Sequence, residues 1–352
     1  MFVANEPIVN IDMENLKRNG IPQKELKKYL PRYILKPTPL YYSRIKNACF
    51  FVVRMFLTIL VKVFLRPRKI SGNLDTIEVK ELYDKEARTY DRKHHLTTRG
   101  MDLIWRRDCG WFVSVVGRRK IENIRVLDVC TGTGLTIKEM IPILKEWGIE
   151  GEFYALDYNE RMLDLAKKNI NSAHSVISFV KEDAMNMENI ASNYFDAVTQ
   201  MFGIGGVEKP QKVFEEILRV LNPNGQLFLI DMHKPIPEYP EEWPFLLKWF
   251  RFPTLEAVVY EKTTIPLVLN RLWGWRDITL CFYFLPLITY QDTKGSCWGF
   301  ETEYLKQESQ RWWFALPLMP IAKIIVKKTE ISTEEARIRK IILKSCVEQP
   351  IG

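Results

Sequence analysis

Residues 126–136, VLDVCTGTGLT, constrain the fold of this chain more than any other stretch. The first four residues are mostly apolar and predict a buried strand, and two closely spaced glycines, Gly132 and Gly134, predict a tight turn into a helix. Glycine has no Cβ, so its backbone can approach a ligand closely. Free N–H groups at the start of the next helix face the polar end of such a ligand. The segment therefore predicts a strand–turn–helix unit with a ligand at the strand end.

Apolar runs rich in β-formers alternate with amphipathic segments after this point. The predicted strands lie near 124–130, 152–157, 176–181, 194–200 and 225–231, and the helices near 135–147, 159–170 and 209–221. This alternation predicts a doubly wound, Rossmann-like α/β fold whose ligand lies across the carboxyl ends of the strands. Residues 301–314 and 321–328 are expected to close the sheet as antiparallel strands, which gives a seven-stranded, mostly parallel sheet. A charged helix is expected over 333–344.

Acidic residues stand at successive strand ends. Asp157 ends the second strand, where a carboxylate accepts hydrogen bonds from ribose hydroxyls, and Asp183 follows the third, where it and Ala184 are placed to contact an adenine ring. Asp128 is a candidate to bond loop N–H groups or the ammonium of an amino-acid tail. A dinucleotide fingerprint requires a third glycine at position 137, but the residue there is Ile137, which argues against a nicotinamide cofactor.

Five motifs follow one another in order: VLDVCTGTG (126–134), LDYNERML (156–163), KEDAMNM (181–187), FDAVTQMFGIGGV (195–207) and FEEILRVLNPNGQLFLID (214–231). With a helical cap over 83–107, they resemble the class I S-adenosylmethionine (SAM)-dependent methyltransferases. The resemblance is strongest to the ubiquinone/menaquinone biosynthesis C-methyltransferases. It implies SAM as the cofactor and a methyl-transfer activity. The implied cofactor residues are Asp128, Thr131, Gly132, Thr133, Gly134, Asp157, Tyr158, Met162, Asp183, Ala184 and Gln200.

The acceptor is less constrained than the cofactor. Quinone methyltransferases usually carry an arginine–asparagine pair shortly after FG, where this chain has Gly205 and Gly206. The acceptor is therefore either an isoprenoid quinone precursor or an amine-bearing lipid head group, with a soluble small molecule or a protein as the second hypothesis and a non-catalytic SAM-binding scaffold as the third. A phenol or ring carbon requires a base. His233 and Gln200 are the leading catalytic candidates, followed by Asp231, His94 and His95, and Tyr83 and Tyr90 are candidates to contact cofactor or substrate.

A basic amphipathic segment precedes the cofactor domain. Residues 48–65 are nearly all apolar except Arg54, Thr58 and Lys62, which fall on one side of a helix. With a net charge of +8 and no RNA-binding signature, we expect a membrane surface with anionic lipids as a partner, and no nucleic acid. A helix lying in the cytoplasmic interface, peripheral or monotopic, is favoured over a single-pass span or a buried core helix.

The chain divides by composition into four parts: 1–74, 75–232, 233–300 and 301–352. The third part is rich in tryptophan and other aromatic residues, and is interpreted either as packing against the domain or as an apolar lid over a hydrophobic substrate. The six cysteines are scattered, so we expect a reducing compartment and no metal site. The N-terminus lacks the pattern of a secretory signal. The sequence does not indicate the oligomeric state.

Overall fold

The computed structural model describes residues 10–22, 25, 76–98, 100–119, 123–170, 176–232, 284–311 and 317–347. The strands are β1 (Asn10–Ile11), β2 (Ile124–Val129), β3 (Gly151–Asp157), β4 (Val176–Lys181), β5 (Phe195–Met201), β6 (Leu221–Met232), β7 (Thr289–Gln291), β8 (Cys297–Arg311), β9 (Pro317–Ile331) and β10 (Cys346–Val347). The α-helices are α1 (Met13–Arg18), α2 (Thr76–Thr98), α3 (Met101–Gly117), α4 (Leu135–Glu146), α5 (Glu160–Asn169), α6 (Pro210–Val220) and α7 (Thr333–Ser345).

The main sheet has the strand order β4-β3-β2-β5-β6-β9-β8-β7. The first five strands are parallel, and β9, β8 and β7 pair antiparallel at one edge. The mostly parallel, Rossmann-like α/β sheet is therefore confirmed, but the expected number of seven strands is wrong, because the sheet has eight. The additional strand is β7, three residues long, which is too short to show the alternation that marks a strand in a sequence. A turn at Gly295, with φ +88°, joins it to β8.

The central strands are buried on both faces. All seven residues of β5 are buried, because helices cover the sheet on either side, as is typical of parallel sheets. On one face Leu127 and Val198 pack in the same apolar cluster as residues of α6. On the other face Val126 and Ala197 pack with residues of α3 and α4. Alternate residues of these strands therefore pack into the two apolar clusters on opposite faces of the sheet.

Helices α2 and α3 precede the main sheet in sequence. Gly100 lies between them and has a φ of +80°, a value that glycine adopts readily. Gly134, with φ +76°, directly precedes α4 in the same way. Among the helices of the described residues, none is long and apolar enough to cross a membrane. The predicted membrane helix at 48–65 and most of the aromatic segment 233–300 lie outside the described residues, although 284–300 contribute β7 and the start of β8.

Candidate active site

An open pocket lies at the carboxyl edge of the parallel strands. Its walls come from helices α2 and α3 and from the segments that follow β2, β3, β4 and β5. A ligand at this edge agrees with the expectation for a doubly wound sheet. The lining residues are Val79, Lys80, Tyr83, Tyr90, Arg106, Cys130, Thr131, Gly132, Thr133, Leu156, Asp157, Tyr158, Asn159, Met162, Asp183, Ala184, Met185, Met201, Phe202, Gly203, Gly206, Val207 and Glu208.

The two glycines of the loop after β2 have different functions. Gly132 has φ +57°, and a Cβ added to it would meet nothing within 4 Å, so a side chain there would project into open space at the pocket. Gly134 has φ +76°, and its Cβ would lie 2.6 Å from Ile170 Cδ1 and 2.9 Å from Ala166 Cβ. Gly132 therefore leaves room for a ligand, whereas Gly134 allows the loop to pack against α5.

Asp157 lies at the end of β3 with its carboxylate directed to the loop after β2. Oδ2 accepts a hydrogen bond of 2.8 Å from the Gly132 N–H, and Oδ1 accepts one of 2.8 Å from the Asn159 N–H. Each carboxylate oxygen has a second lone pair. The carboxylate is thus fixed in orientation by two backbone groups and retains capacity to accept from ligand hydroxyls. Burial raises the pKa of Asp157 to about 6, against the stabilising effect of these two hydrogen bonds.

The raised pKa predicts that ligand binding at Asp157 weakens in mild acid. The ionised form accepts hydroxyl hydrogen bonds, and it predominates only above pH 6 because the pKa is about 6. As the pH falls from 7.5 to 5, the dissociation constant for SAM is expected to rise by up to about tenfold. Protonation of this single carboxylate raises the dissociation constant by at most about tenfold for each pH unit below the pKa. Isothermal titration calorimetry over this range tests it. Asp157→Asn has no carboxyl to titrate, so its weaker binding should vary much less with pH.

Asp128 lies behind the glycine loop and does not line the pocket. Its Oδ2 accepts from the Thr131 hydroxyl at 2.6 Å and its Oδ1 from the Thr199 hydroxyl at 2.7 Å. Burial raises the pKa of Asp128, and these two hydrogen bonds oppose the increase. The carboxylate therefore connects the loop after β2 to strand β5. Its predicted contact with the ammonium of a cofactor tail stays a prediction, because Asp128 does not line the pocket.

A second turn, after β5, is held from beneath by two buried side chains. With its amide assigned by its hydrogen bonds, the Gln200 side-chain oxygen accepts from the N–H groups of Gly203 and Ile204 at 2.6 and 3.0 Å. Asp231 Oδ2 accepts from the Ile204 N–H at 3.2 Å. Neither Gln200 nor Asp231 lines the pocket. Both residues therefore position the turn that does.

The loop after β4 contributes Asp183, Ala184 and Met185 to the pocket. Asp183 Oδ1 accepts from the Met185 N–H at 2.8 Å, and its carbonyl oxygen accepts from the Asn186 N–H at 2.9 Å. This compact turn presents the carboxylate beside two apolar side chains. It is the arrangement predicted for contact with an adenine ring, although that contact itself stays a prediction.

Helix α2 covers the pocket and is attached to it by polar contacts. Thr133 donates its hydroxyl to Asp91 at 2.6 Å, and Asn159 donates its amide to Asp84 at 3.0 Å. Tyr83 and Tyr90 from the same helix line the pocket with their ring centroids 5.9 Å apart. Burial raises the pKa of Tyr83 well above its usual value and that of Tyr90 to about 12, so both phenols remain protonated at neutral pH. They are hydrogen-bond donors in this state and not bases.

Two of the predicted catalytic histidines, His94 and His95, lie away from the pocket. His94 and His95 flank Asp102, with Nδ1 atoms 3.7 and 3.3 Å from its carboxylate oxygens, and neither lines the pocket. Burial lowers the pKa of His94. His233 lies outside the described residues, so its role stays a prediction.

Most of the predicted cofactor residues are brought together. Eight of the eleven line the pocket, and Asp128, Gly134 and Gln200 lie behind it. The sequence interpretation missed several lining residues from α2, α3 and β5. For Val79, the sequence did contain a signal, because its spacing from Tyr83 and Tyr90 places all three residues on one side of a predicted helix. The missed lining residues include Val79, Lys80, Arg106, Met201, Phe202 and Glu208.

The sequence model of the ubiE/COQ5 methyltransferase family matches residues 71–261, which is more than half of the chain. The chain belongs to this family. It is 32% identical over 163 residues to the ubiquinone/menaquinone biosynthesis C-methyltransferase UbiE of Yersinia pestis (strain Pestoides F), and equally to that of Yersinia enterocolitica. Each match covers 46% of this chain and 61% of the relative, so the chain spans less than two thirds of the length of these curated relatives.

Solved structures show weaker likeness. Phosphoethanolamine N-methyltransferase 1 of Haemonchus contortus, solved with phosphoethanolamine and S-adenosylhomocysteine, has a TM-score of 0.49 at 16% identity, covering 79% of this chain and 55% of that one. A SAM-dependent methyltransferase from Aquifex aeolicus has a TM-score of 0.34 at 18% identity, covering 72% and 99%. Scores this low do not identify an acceptor.

The pocket fits SAM, the cofactor of this ubiE/COQ5 family member. Gly132 leaves open space where a side chain would stand, and Asp157 offers an oriented carboxylate beside it. Asp183 and Ala184 lie along the same edge of the sheet. No group of three or more His, Cys, Asp or Glu side chains within the described residues is placed to hold a metal ion.

Proposed function

We propose that this chain transfers the methyl group of SAM to a hydrophobic, lipid-like acceptor at a membrane. The observation that carries the proposal is the open space at Gly132 beside the oriented carboxylate of Asp157, in a chain of the ubiE/COQ5 methyltransferase family. The two residues form one side of the pocket at the carboxyl edge of the sheet, where a doubly wound fold binds its ligand.

The residues of this pocket position the reactants and exclude water. Bound SAM supplies an electrophilic methyl group, so no covalent enzyme intermediate is required. Asp157 and Asp183 would hold the nucleoside end, and the apolar side chains of Met201 and Phe202 would keep water from the transfer. Tyr83 and Tyr90 stay protonated at neutral pH and would orient an acceptor oxygen or nitrogen by donating hydrogen bonds.

An isoprenoid quinone precursor is the leading acceptor because the relatives at 32% identity are quinone biosynthesis C-methyltransferases. The glycines at 205 and 206 favour a second candidate, an amine-bearing lipid head group. A Cβ at Gly206 would lie 3.4 Å from the Tyr83 ring and 3.6 Å from its hydroxyl, so the Tyr83 phenol occupies the space beside this glycine. A neutral amine needs no base for attack on the methyl group, whereas a ring carbon or a phenol does.

Two features support action at a membrane surface. The basic amphipathic sequence at 48–65 is proposed to lie in the interface. On α3, Ile104, Trp111 and Val115 are about half exposed, and Trp147 lies against Trp111 with ring centroids 5.7 Å apart. Arg118 lies over the Trp147 ring at 3.4 Å. Exposed aromatic rings with neighbouring cations are favoured at lipid interfaces.

Methyl transfer from labelled SAM tests the proposal. The full chain is incubated with vesicles containing a polyprenylated quinol, with vesicles containing phosphatidylethanolamine, and with membrane extract, and labelled lipids are identified by mass spectrometry. We expect label in a lipid of one of the first two classes, and its loss with Asp157→Ala. Label confined to water-soluble acceptors would refute the lipid acceptor. SAM binding without transfer to any acceptor would instead indicate a scaffold.

A further inference from the structure

Arg106 on α3 is a buried cation that forms no salt bridge with a carboxylate of the described residues, although the more distant charges of Asp102 and Asp128 act on it. It is 6% exposed and lines the pocket. Its terminal Nη1 donates to the Thr136 hydroxyl at 2.7 Å, and its Nε has no hydrogen-bond partner. A buried charge is costly unless it is paired, so an arginine in this state is suited to a ligand anion.

Other arginines of the described residues show how unusual this is. Arg107, the next residue, is largely exposed and bonds Glu139 at 3.1 Å. Arg339 is as deeply buried as Arg106, but it pairs with Glu335 at 2.8 Å and donates to two backbone carbonyls. Arg219 pairs with Glu216 at 2.7 Å. Each of these three guanidinium groups forms a salt bridge with a carboxylate, whereas Arg106 forms none with the residues that the structure describes.

The position of Arg106 adds a second argument. Its partner Thr136 is in the first turn of α4, directly after the glycine loop. The N–H groups of the first turn of a helix carry a partial positive charge and attract anions. The guanidinium and this helix start therefore favour an anion at the same end of the pocket. The pocket acids Asp157 and Asp183 belong to the segments after β3 and β4.

We propose that Arg106 binds the α-carboxylate of SAM, an inference that rests on the proposed function. The carboxylate is the one anionic group of this cofactor, and guanidinium–carboxylate hydrogen bonds are strong and directional. With the nucleoside at Asp157 and Asp183, Arg106 and the start of α4 would hold the amino-acid tail at the other end of the pocket. Asp128 was predicted to contact the ammonium of this tail, a different group, and it does not line the pocket. Arg106 is thus the positioning residue that fixes the sulfonium relative to the acceptor.

Among the described residues that line the pocket, the other basic side chain is that of Lys80, which does not compete for this role. Lys80 of α2 lies with its Nζ 5.7 Å from the centroid of the Tyr158 ring. Its backbone carbonyl accepts from the Asn159 amide at 3.3 Å. Both contacts place Lys80 beside the segment that follows β3, which is the proposed nucleoside end.

Calorimetry with two ligands tests the assignment. SAM and decarboxylated SAM share the nucleoside, the sulfonium and the amine, and differ only in the carboxylate. For Arg106→Met we expect the affinity for SAM to fall about tenfold to a hundredfold, the range for loss of a charged hydrogen bond. The affinity for decarboxylated SAM should stay within about twofold, because it has no group that Arg106 recognises. Arg106→Lys should recover part of the loss.

Arg107→Met is the matched control, since it removes the same charge from the adjacent exposed position and should change neither affinity. Binding of decarboxylated SAM by Arg106→Met also shows that this variant is folded. An equal loss for both ligands, or no loss for SAM, would overturn the assignment of the carboxylate. If the unaltered chain bound neither ligand, the proposed function itself would fail, which is a different result from either of these.

Discussion

Asp157→Ala is expected to raise the dissociation constant for SAM by about 10²- to 10⁴-fold. The substitution removes the carboxylate that would accept from two ribose hydroxyls, and each hydrogen bond to a charged group contributes about 1.5–3 kcal/mol. Two such bonds correspond to about 3–6 kcal/mol, at about 1.4 kcal/mol for each factor of ten. Isothermal titration calorimetry above pH 7, where the carboxyl with its pKa of about 6 is ionised, measures the full difference.

The geometry around Asp157 explains why the loss falls on binding more than on folding. The N–H groups of Gly132 and Asn159 lose their acceptor in the variant, but they stand at an open pocket where water can replace it. The carboxylate itself is disfavoured by burial, as its raised pKa shows. Removing the carboxylate therefore also removes an unfavourable contribution to the stability of the ligand-free protein. Asp157→Asn keeps one acceptor oxygen and should bind SAM with intermediate affinity.

Asp164→Ala is the control for Asp157→Ala. Asp164 is an exposed residue of α5 that pairs with Lys167 at 3.2 Å, so its replacement changes the net charge equally without altering the pocket. Surface pairs of this kind contribute about 0–1 kcal/mol. Urea unfolding of each variant shows whether the fold is retained. A folded Asp157→Ala variant that binds SAM as tightly as the unaltered chain would show that the nucleoside lies elsewhere.

The sequence predicted the parallel part of the sheet and the loop at its edge because both are encoded locally. A buried strand followed at once by Gly132 and Gly134 has few alternative structures, and Asp157 follows a strand whose neighbour is fixed by the βαβ order. The fold itself therefore brings these residues close together. Eight of the eleven residues predicted to contact the cofactor line the pocket, and their contact with the cofactor stays a prediction.

The remaining features depend on side-chain direction and on contacts distant in sequence. Asp128 and Gln200 occupy strand ends, but their side chains point beneath the loops and hold them, and strand position alone does not fix this. Arg106 reaches Thr136, thirty residues away, through the packing of α3 on α4. Such a contact leaves no local pattern. Strand β7 pairs with β8 over only three residues, which is too short for a periodic signal.

Gly203→Ala is expected to lower the free energy of unfolding by about 1–3 kcal/mol, the usual cost of overpacking. Gly203 has φ −104°, so the backbone itself accepts alanine. The cost is steric, because the new Cβ would lie 2.5 Å from Cys130 Cβ and 2.7 Å from the terminal amide of Gln200. The turn after β5 and the loop after β2 would have to separate at the base of the pocket. SAM affinity should therefore fall together with stability.

Cys130→Gly provides the decisive comparison, because it removes the nearer of the two side chains against which the new methyl group would collide and leaves only the contact with Gln200. Cys130 has φ +55°, a conformation that glycine adopts without strain, so the single variant should fold. In the double variant the two changes should be non-additive, with Gly203→Ala costing much less than it does alone. Gly206→Ala, in the same segment, adds a Cβ at an ordinary 3.4 Å from Tyr83 and should change stability by less than about 0.5 kcal/mol. Strict additivity at 130 and 203, measured by urea unfolding, would show that the two loops do not meet as the structure places them, and the pocket built on their contact would require revision.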